Sequence, residues 1–255
     1  MPAVGLSTAG LPRPDPLPFS SQWVEWVSAL ILGVLLLALA RESALRPVDF
    51  PVYHRVAREM IAGDYTIYPA ALFDGGAIPS HGFRYAPVIA FLMMPIGWLP
   101  LDLAALLLFA AKLAAVAYIS TVIARRAGLG RASRSLALFA LFIVGGYVAE
   151  EFRFGNVHFL VVALMVYAFD TVDSGQPWRA ATALALAIAT KVTPLALLAY
   201  FALRRKAAAC MATVVVLVVL ALLPAAVVGV RENARLLRGF ATYAVQKVDE
   251  QDNYA

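Results

Sequence analysis

The sequence predicts an all-α protein, a polytopic bundle of transmembrane helices with amphipathic and juxtamembrane helices on an outer-face loop. Of the 255 residues, 62% are hydrophobic and only 15% are charged, whereas a soluble domain carries about 25% charge. Mean hydropathy is +0.78, and the apolar residues form runs close to the roughly 20 residues that a spanning helix needs. This composition excludes a separate soluble domain, and a net charge of +5 is attributed to membrane loops rather than to nucleic-acid binding.

The first helix is predicted from Trp23 to Ala40, with tryptophan anchors at its start. Residues 1–22 are proline-rich and are predicted to form a disordered cytoplasmic N-terminus. Two interpretations of the apolar run remain. An uncleaved helix is favoured because the preceding segment is long and poorly charged, while Ala38-Leu39-Ala40 resembles the cleavage site of a signal peptide.

Residues 41–100 form the predicted outer loop. Val52, Val56 and Met60 recur every four residues, which indicates an amphipathic helix lying on the membrane. Residues 86–99 are apolar but too short to span at about 1.5 Å per residue, and prolines interrupt them. They are predicted to be a half-inserted helix on the outer side.

The remaining spans follow from apolar length and from the basic loops. The densest basic loop lies just after residue 124, and the positive-inside rule places it in the cytoplasm. In chain order the predicted segments are a span over 101–124, an outward segment over 135–149, an outer turn over 150–156, a returning segment over 157–171, an inner turn over 173–179 and a span over 207–230.

Residues 180–203 allow two interpretations. They form either a hairpin of two short helices with its tip at 190–194, or a single span kinked at Pro194. Basic residues at both ends favour the hairpin. The transmembrane domain is thus predicted over 23–230, with a polar tail over 231–255.

On this topology several unusual polar side chains from four segments converge on the outer face. Ionisable groups at membrane depth are expensive, so a functional role is the default interpretation. One acid among several cations suits a division of labour, in which the cations bind a phosphate and the acid removes a proton from a hydroxyl. The converging residues are Asp49, Arg84, Glu150, Glu151, Arg153, Asn156, His158 and Lys191.

Three of these residues also have a structural interpretation. Asp49 is placed to cap the helix that begins near Pro51. Arg84 suits an interfacial residue that snorkels, and Arg153 suits a surface pair with a neighbouring glutamate.

For the other residues, the balance between a structural and a functional interpretation differs from one residue to the next. His158 resembles a satisfied polar group of the core, whereas Lys191, between apolar helices and beside a proline break, favours function. Tyr53 and Tyr85 are either aromatic-belt residues or platforms for a sugar. No cysteine and histidine spacing typical of a metal site is visible, and neither a metal nor a cofactor is predicted.

Four motifs occur in a fixed order between about residues 45 and 206. They are Asp49-Phe50-Pro51-Val52-Tyr53, Phe83-Arg84-Tyr85-Ala86-Pro87, Phe152-Arg153-Phe154-Gly155-Asn156-Val157-His158 and Thr190-Lys191-Val192-Thr193-Pro194. This order resembles the polyprenol-phosphate-mannose-dependent mannosyltransferases, which belong to the GT-C superfamily of membrane glycosyltransferases. The resemblance implies a GT-C-like helix bundle.

The resemblance also implies a reaction, the inverting transfer of mannose or a related sugar from a polyprenyl-phosphate donor to a lipid or glycan acceptor. Asp49 would be the general base, and Arg84 and Lys191 would face the donor phosphate. The chain departs from the family pattern at two positions, where the family's Gln and Asn are replaced by Asn156 and His158. The full predicted substrate-binding set is Tyr53, Arg84, Tyr85, Arg153, Asn156, His158 and Lys191.

The implied partners are the lipid-linked donor, the acceptor and membrane lipids, without nucleic acid. The implied location is the bacterial plasma (inner) membrane, with the active site facing outward. Because the chain stops where family members continue through further spans, a C-terminally truncated member is expected.

Two alternative functions remain. One is a transporter or lipid flippase, which broken helices suit although no inverted repeat is visible, and the other is a non-catalytic assembly subunit.

Overall fold

The computed structural model describes the backbone of residues 22–45, 48–68, 83–128 and 147–252. These described residues form helices and turns, with no strand among them, so the all-α class is confirmed. Packing divides the chain into two units, Met1–Ala38 and Leu39–Ala255. The predicted disordered N-terminus lies outside the described residues except for its last residue.

In the first unit the described residues are the beginning of helix α1 (Gln22–Leu45), which continues past the predicted end at Ala40. Its described apolar side chains are largely exposed, among them Leu30, Val34 and Leu37. A helix that is apolar on all sides suits lipid contact rather than water.

In the second unit, α2 (Phe50–Ile61) is the predicted amphipathic helix, with Val56 and Met60 buried and Arg55 exposed. The alternation arises because residues four apart share one face of a helix. This buried face packs on the apolar segment near the end of the same loop, over residues 87–98.

That segment is the predicted half-inserted helix, and it forms two pieces, α3 (Pro87–Met93) and a 3-10 turn over Met94–Trp98. The α-helix ends here because Pro95 lacks the N–H that would continue it. The turn lies very close to α2, since a Cβ on Gly97 would be 2.9 Å from the main-chain carbon of Ala57. Only glycine allows this approach.

Two helices within the described residues are long and apolar enough to cross a membrane. They are α4 (Leu101–Arg126) and the run Ala207–Val228. The second run consists of α9 (Ala207–Leu222) and α10 (Ala225–Val228), separated at Pro224.

Helix α5 (Tyr147–Phe154) and α6 (His158–Thr171) meet at a bend of 111°. The predicted outer turn over 150–156 was therefore too long, because residues 150–154 are helical and the turn begins at Gly155. This glycine has φ 69°, a left-handed conformation that only glycine adopts readily. Of the predicted outward segment, residues 135–146 lie outside the described part.

Helices α7 (Pro177–Thr190) and α8 (Leu195–Leu203) are separated by a break at residues 191–194. Both interpretations of residues 180–203 placed a break there, and it is confirmed. Buried alanines along α7 let α6 and α9 pack closely against it.

Most of the stretch predicted as a polar tail belongs to α11 (Val230–Asp252), an amphipathic helix that buries Leu236 against the core. The core around α2 and α3 is rich in aromatic residues, including Phe50 and Tyr68. This core includes Tyr53 and Tyr85, two residues of the predicted substrate-binding set.

Helices α6 and α7 run antiparallel, so their termini mark two ends of the bundle. His158 at the start of α6 lies beside Lys191 just after α7, and we name this the site end. Asp170 near the end of α6 pairs with Arg125 and Arg126 at the end of α4, and we name this the basic end. The predicted outer and inner residues thus separate onto opposite ends.

Candidate functional site

Asp49 occupies the N-cap position of α2, yet its carboxylate makes no capping hydrogen bond. Its backbone N–H donates to the carbonyl oxygen of Phe154 at 2.8 Å, and its side chain is half-buried. The main chain therefore positions the residue and leaves the carboxylate available for other contacts.

A buried pair of tyrosines lies close enough to this carboxylate to be affected by its charge. The hydroxyl of Tyr85 donates to that of Tyr53 at 2.8 Å, and Tyr68 donates to the Tyr85 carbonyl at 2.6 Å. Burial raises the pKa of Tyr53 to about 12, against a smaller lowering by the hydrogen bond from Tyr85, and the charge of Asp49 raises it further. Burial also raises the pKa of Tyr85. Both hydroxyls therefore keep their protons at neutral pH.

A carboxylate, an imidazole and an ammonium group form a continuous chain at the site end. The Nδ1 atom of His158 lies 2.9 Å from Oε2 of Glu151, and its Nε2 atom lies 2.5 Å from Nζ of Lys191. A charged lysine can only donate, so Nε2 accepts and Nδ1–H donates to the carboxylate. These two hydrogen bonds therefore define the tautomer of His158.

The same carboxylate is tied to a lysine inside a membrane-spanning helix. Lys112 of α4 is almost completely buried, lies 3.9 Å from Oε1 of Glu151 and donates to the Glu151 carbonyl. Its ammonium also lies 5.0 Å from the ring centroid of Phe152. Buried charges are stable only when paired, so this contact explains the lysine at mid-helix.

The remaining predicted residues take different positions. Arg84 is exposed, and its charge acts on both Tyr53 and Lys191, so it lies near the site. Arg153 is exposed and lies 4.0 Å from Glu150, which matches the structural interpretation of this residue.

Asn156 is buried at the start of α6. Its Oδ1 atom accepts from the backbone N–H of His158 at 3.4 Å. The contact is long, and it orients the turn that carries the histidine.

Arg84 and Glu151 connect the parts of the site, because their charges act both on Tyr53 and on Lys191. The charges of Asp49 and Glu151 both act on the hydroxyls of Tyr53 and Tyr85. Glu151 was among the polar residues predicted to converge on the outer face, but it was not in the predicted substrate-binding set. Within the described ranges, no group of three or more metal-binding side chains occurs.

Comparison with known proteins adds a family. The sequence profile of glycosyltransferase family 87 matches residues 83–255. The polyprenol-phosphate-mannose-dependent alpha-(1-2)-phosphatidylinositol mannoside mannosyltransferase of Mycolicibacterium smegmatis is 28% identical over 174 residues. The match covers 62% of this chain and 39% of that relative, so the chain spans well under two thirds of the relative's length. No solved structure matches the chain significantly.

Proposed function

The chain belongs to glycosyltransferase family 87, and on this premise we propose that it transfers mannose, or a related sugar, from a polyprenyl-phosphate donor. The acceptor is a lipid or a glycan, and the anomeric centre is inverted. The similar mannosyltransferase, whose name states this donor and a phosphatidylinositol mannoside, supports the substrate class. The observation that carries the proposal is the Asp49 carboxylate. It makes no capping hydrogen bond to α2, and it belongs to a site that also contains the exposed cations Arg84 and Lys191.

Asp49 acts as the general base. Its carboxylate takes the proton from the acceptor hydroxyl while that oxygen forms a bond to the anomeric carbon. The bond from this carbon to the phosphate oxygen breaks, and the electron pair leaves with the polyprenyl phosphate. Attack from the face opposite the phosphate inverts the configuration.

Lys191 and Arg84 neutralise the departing phosphate, which gains one negative charge as the bond breaks. Fixed cations aimed at a developing charge are among the largest contributions to catalysis. Lysine supplies a compact point charge, and arginine supplies a planar fork that matches two phosphate oxygens. Both side chains are exposed, as residues that meet a ligand must be.

His158 is a positioning residue rather than a ligand of the sugar. Its contact of 2.5 Å holds the Lys191 ammonium, and Glu151 holds the imidazole from the other side at 2.9 Å. Lys112 in turn fixes Glu151 from α4. This series of contacts links the spanning helix α4 to Lys191, the cation proposed to bind the phosphate.

The protein is an integral membrane protein, with helices long and apolar enough to span a bilayer, and we place it in the bacterial plasma membrane with the site end outward. The support is the positive-inside rule, because Arg125, Arg126 and Lys206 all lie at the opposite end. Labelling with a membrane-impermeant thiol reagent tests this orientation in a Cys210→Ala background. Thr66→Cys should react in intact cells, and Ser174→Cys only after lysis.

Radiolabelled polyprenyl-phosphate-mannose, supplied to membranes that contain the chain, tests the reaction. Label should move into a lipid or glycan product and should require Asp49. A transporter or flippase would instead accumulate unchanged donor in vesicles. An assembly subunit would give neither result when it is the only protein added.

A further inference from the structure

The basic end contains a cavity of about 140 Å³, between the ends of α4, α6 and α8 and the start of α9. This volume is roughly ten times the minimum of ~10–15 Å³ that holds one water. Three cations, one carboxylate and three aromatic rings line it, namely Arg126, Arg204, Lys206, Asp173, Phe169, Tyr200 and Phe201. The cavity lies at the opposite end of α6 from His158 and is separate from the proposed transfer site.

Two carboxylates account for some of these cations. Asp170 pairs with Arg125 at 2.5 Å and with Arg126 at 2.8 Å, and Asp173 pairs with Lys206. These pairs order the cavity wall without filling the cavity. Positive charge beyond these pairs is available for a ligand.

Arg204 is the first of the surplus cations. It is exposed, its guanidinium donates to the hydroxyl of Tyr200 at 3.0 Å, and it lies 5.8 Å from the centroid of the same ring. Its charge acts on Asp173, whose carboxylate is paired with Lys206. The aromatic contact orients the fork and leaves donors for another acceptor.

Arg205, the next residue in the chain, is a second exposed cation at the basic end, and its backbone is strained. It has φ 56°, the left-handed region, directly after the end of α8, where glycine is the usual residue. A side chain there is disfavoured by the clash of its Cβ with the main chain. The positive-inside rule needs only an exposed basic residue, which Arg179 at the same end already supplies. It does not explain a cation at a strained position.

We propose that this cavity binds the phosphate-bearing headgroup of an anionic phospholipid from the leaflet at the basic end. Arg204 donates to the phosphate oxygens, as guanidinium groups do in two-pronged contacts, and Arg126 adds its Nη1 donor while its Nε and Nη2 stay on Asp170. Arg205 adds charge beside them, and Phe169 and Tyr200 contact the glycerol and the first methylenes. Basic pockets between membrane helices on the positive side bind such headgroups. The site is independent of sugar transfer.

Native mass spectrometry and thermal unfolding in nanodiscs test the proposal. The purified chain should retain phosphatidylglycerol over phosphatidylcholine and should unfold at a higher temperature when phosphatidylglycerol is present. Arg204→Gln should weaken phosphatidylglycerol retention about fivefold, as expected for one basic residue near anionic lipid. Arg179→Gln, which removes an exposed cation that does not line the cavity, is the matched control and should retain the lipid.

The variant Arg205→Gly distinguishes the effect of the strained backbone on stability from the contribution of the Arg205 charge to lipid binding. It should raise the unfolding temperature in phosphatidylcholine discs, because glycine tolerates the left-handed backbone, yet it should lose part of the gain from phosphatidylglycerol. A variant that is stabilised but keeps the full gain overturns the role of Arg205. Equal lipid loss in Arg204→Gln and Arg179→Gln overturns the site. If inorganic phosphate in phosphatidylcholine discs reproduces the full gain, the site binds free anions and the lipid proposal is wrong.

Discussion

The backbone N–H of Asp49 donates to the carbonyl oxygen of Phe154 at 2.8 Å. Two sequence motifs that lie far apart in the chain are therefore joined through their main chains. A substitution of the Asp49 side chain leaves this bond in place. The carboxylate can therefore be removed without moving the residue that carries it.

Asp49→Asn should lower sugar transfer by about 10²–10⁴-fold, the usual contribution of a general base, while expression and membrane insertion remain. The fold should persist because the carboxylate makes no capping hydrogen bond. Asp64→Asn is the control, since Asp64 is an exposed carboxylate of the same loop whose partner is Thr66. Transfer at the wild-type rate in Asp49→Asn would sink the assignment.

Lys191→Met should lower the turnover rate by about 10²–10³-fold, as the loss of one preorganised charge donor does. His158→Ala should lower it by about 10–100-fold, the range for a residue that acts through its neighbour. In the Lys191→Met background, His158→Ala should add little, because the two residues act as a unit. Independent, multiplying effects would show that His158 has a separate role.

Lys112→Met and Glu151→Gln should each destabilise the protein by about 3 kcal/mol, because each leaves a buried charge without its partner. The double variant should be more stable than either single variant. Unfolding in detergent measures this cycle. The exposed pair Glu150 and Arg153 is the control and should contribute under about 1 kcal/mol. Additive losses at positions 112 and 151 would contradict the coupling.

The stability of the protein should fall between about pH 10 and about pH 12. Burial raises the pKa of Tyr53 to about 12 from an ordinary value of about 10, so in this window the unfolded chain loses a proton that the folded chain keeps. This preference contributes about 2–3 kcal/mol below pH 10. Tyr53→Phe should flatten the decline measured by unfolding against pH, whereas Tyr147→Phe, at an exposed position, should not.

Gly97→Ala should destabilise the protein by about 1–3 kcal/mol, the usual effect of overpacking. The added Cβ would lie 2.9 Å from main-chain atoms of Ala57 and Arg58, and a backbone cannot yield as a side chain can. Gly33→Ala is the control, since nothing lies within 4 Å of its Cβ position. Equal unfolding temperatures for the two variants would contradict the close packing of the turn on α2.

The helices that follow from hydrophobic period or from prolines could be predicted from the sequence. Val56 and Met60 are buried on α2 as their spacing predicts, and the break after Thr190 follows from Pro194. The turn before α6 was predicted too long, because its charged residues obscured a helix in which Phe152 is buried. A mixed polar segment gives no period that separates an amphipathic helix from a loop.

The contacts of the site could be predicted only in part. Asp49 was placed at a helix start, but no spacing rule tells whether a carboxylate will cap that helix. Lys112 pairs with Glu151, a contact between α4 and α5 that no local pattern of the sequence predicts. The contact of His158 with Lys191 depends on the antiparallel packing of α6 and α7, which a single sequence does not encode as a local pattern.

The length of α6 limits the bilayer around it. Its 14 residues rise only about 21 Å, while an ordinary hydrocarbon core is about 30 Å thick. Charged groups at both ends of so short a helix require a local thinning of the bilayer or a site recessed beneath the lipid headgroups. Sugar transfer should therefore be faster in vesicles of short-chain than of long-chain phosphatidylcholine, and equal rates would exclude this hydrophobic mismatch. If the short-chain vesicles give the faster rate, the protein deforms the membrane around it. This deformation shortens the distance between a lipid-bound phosphate and the cations that bind it.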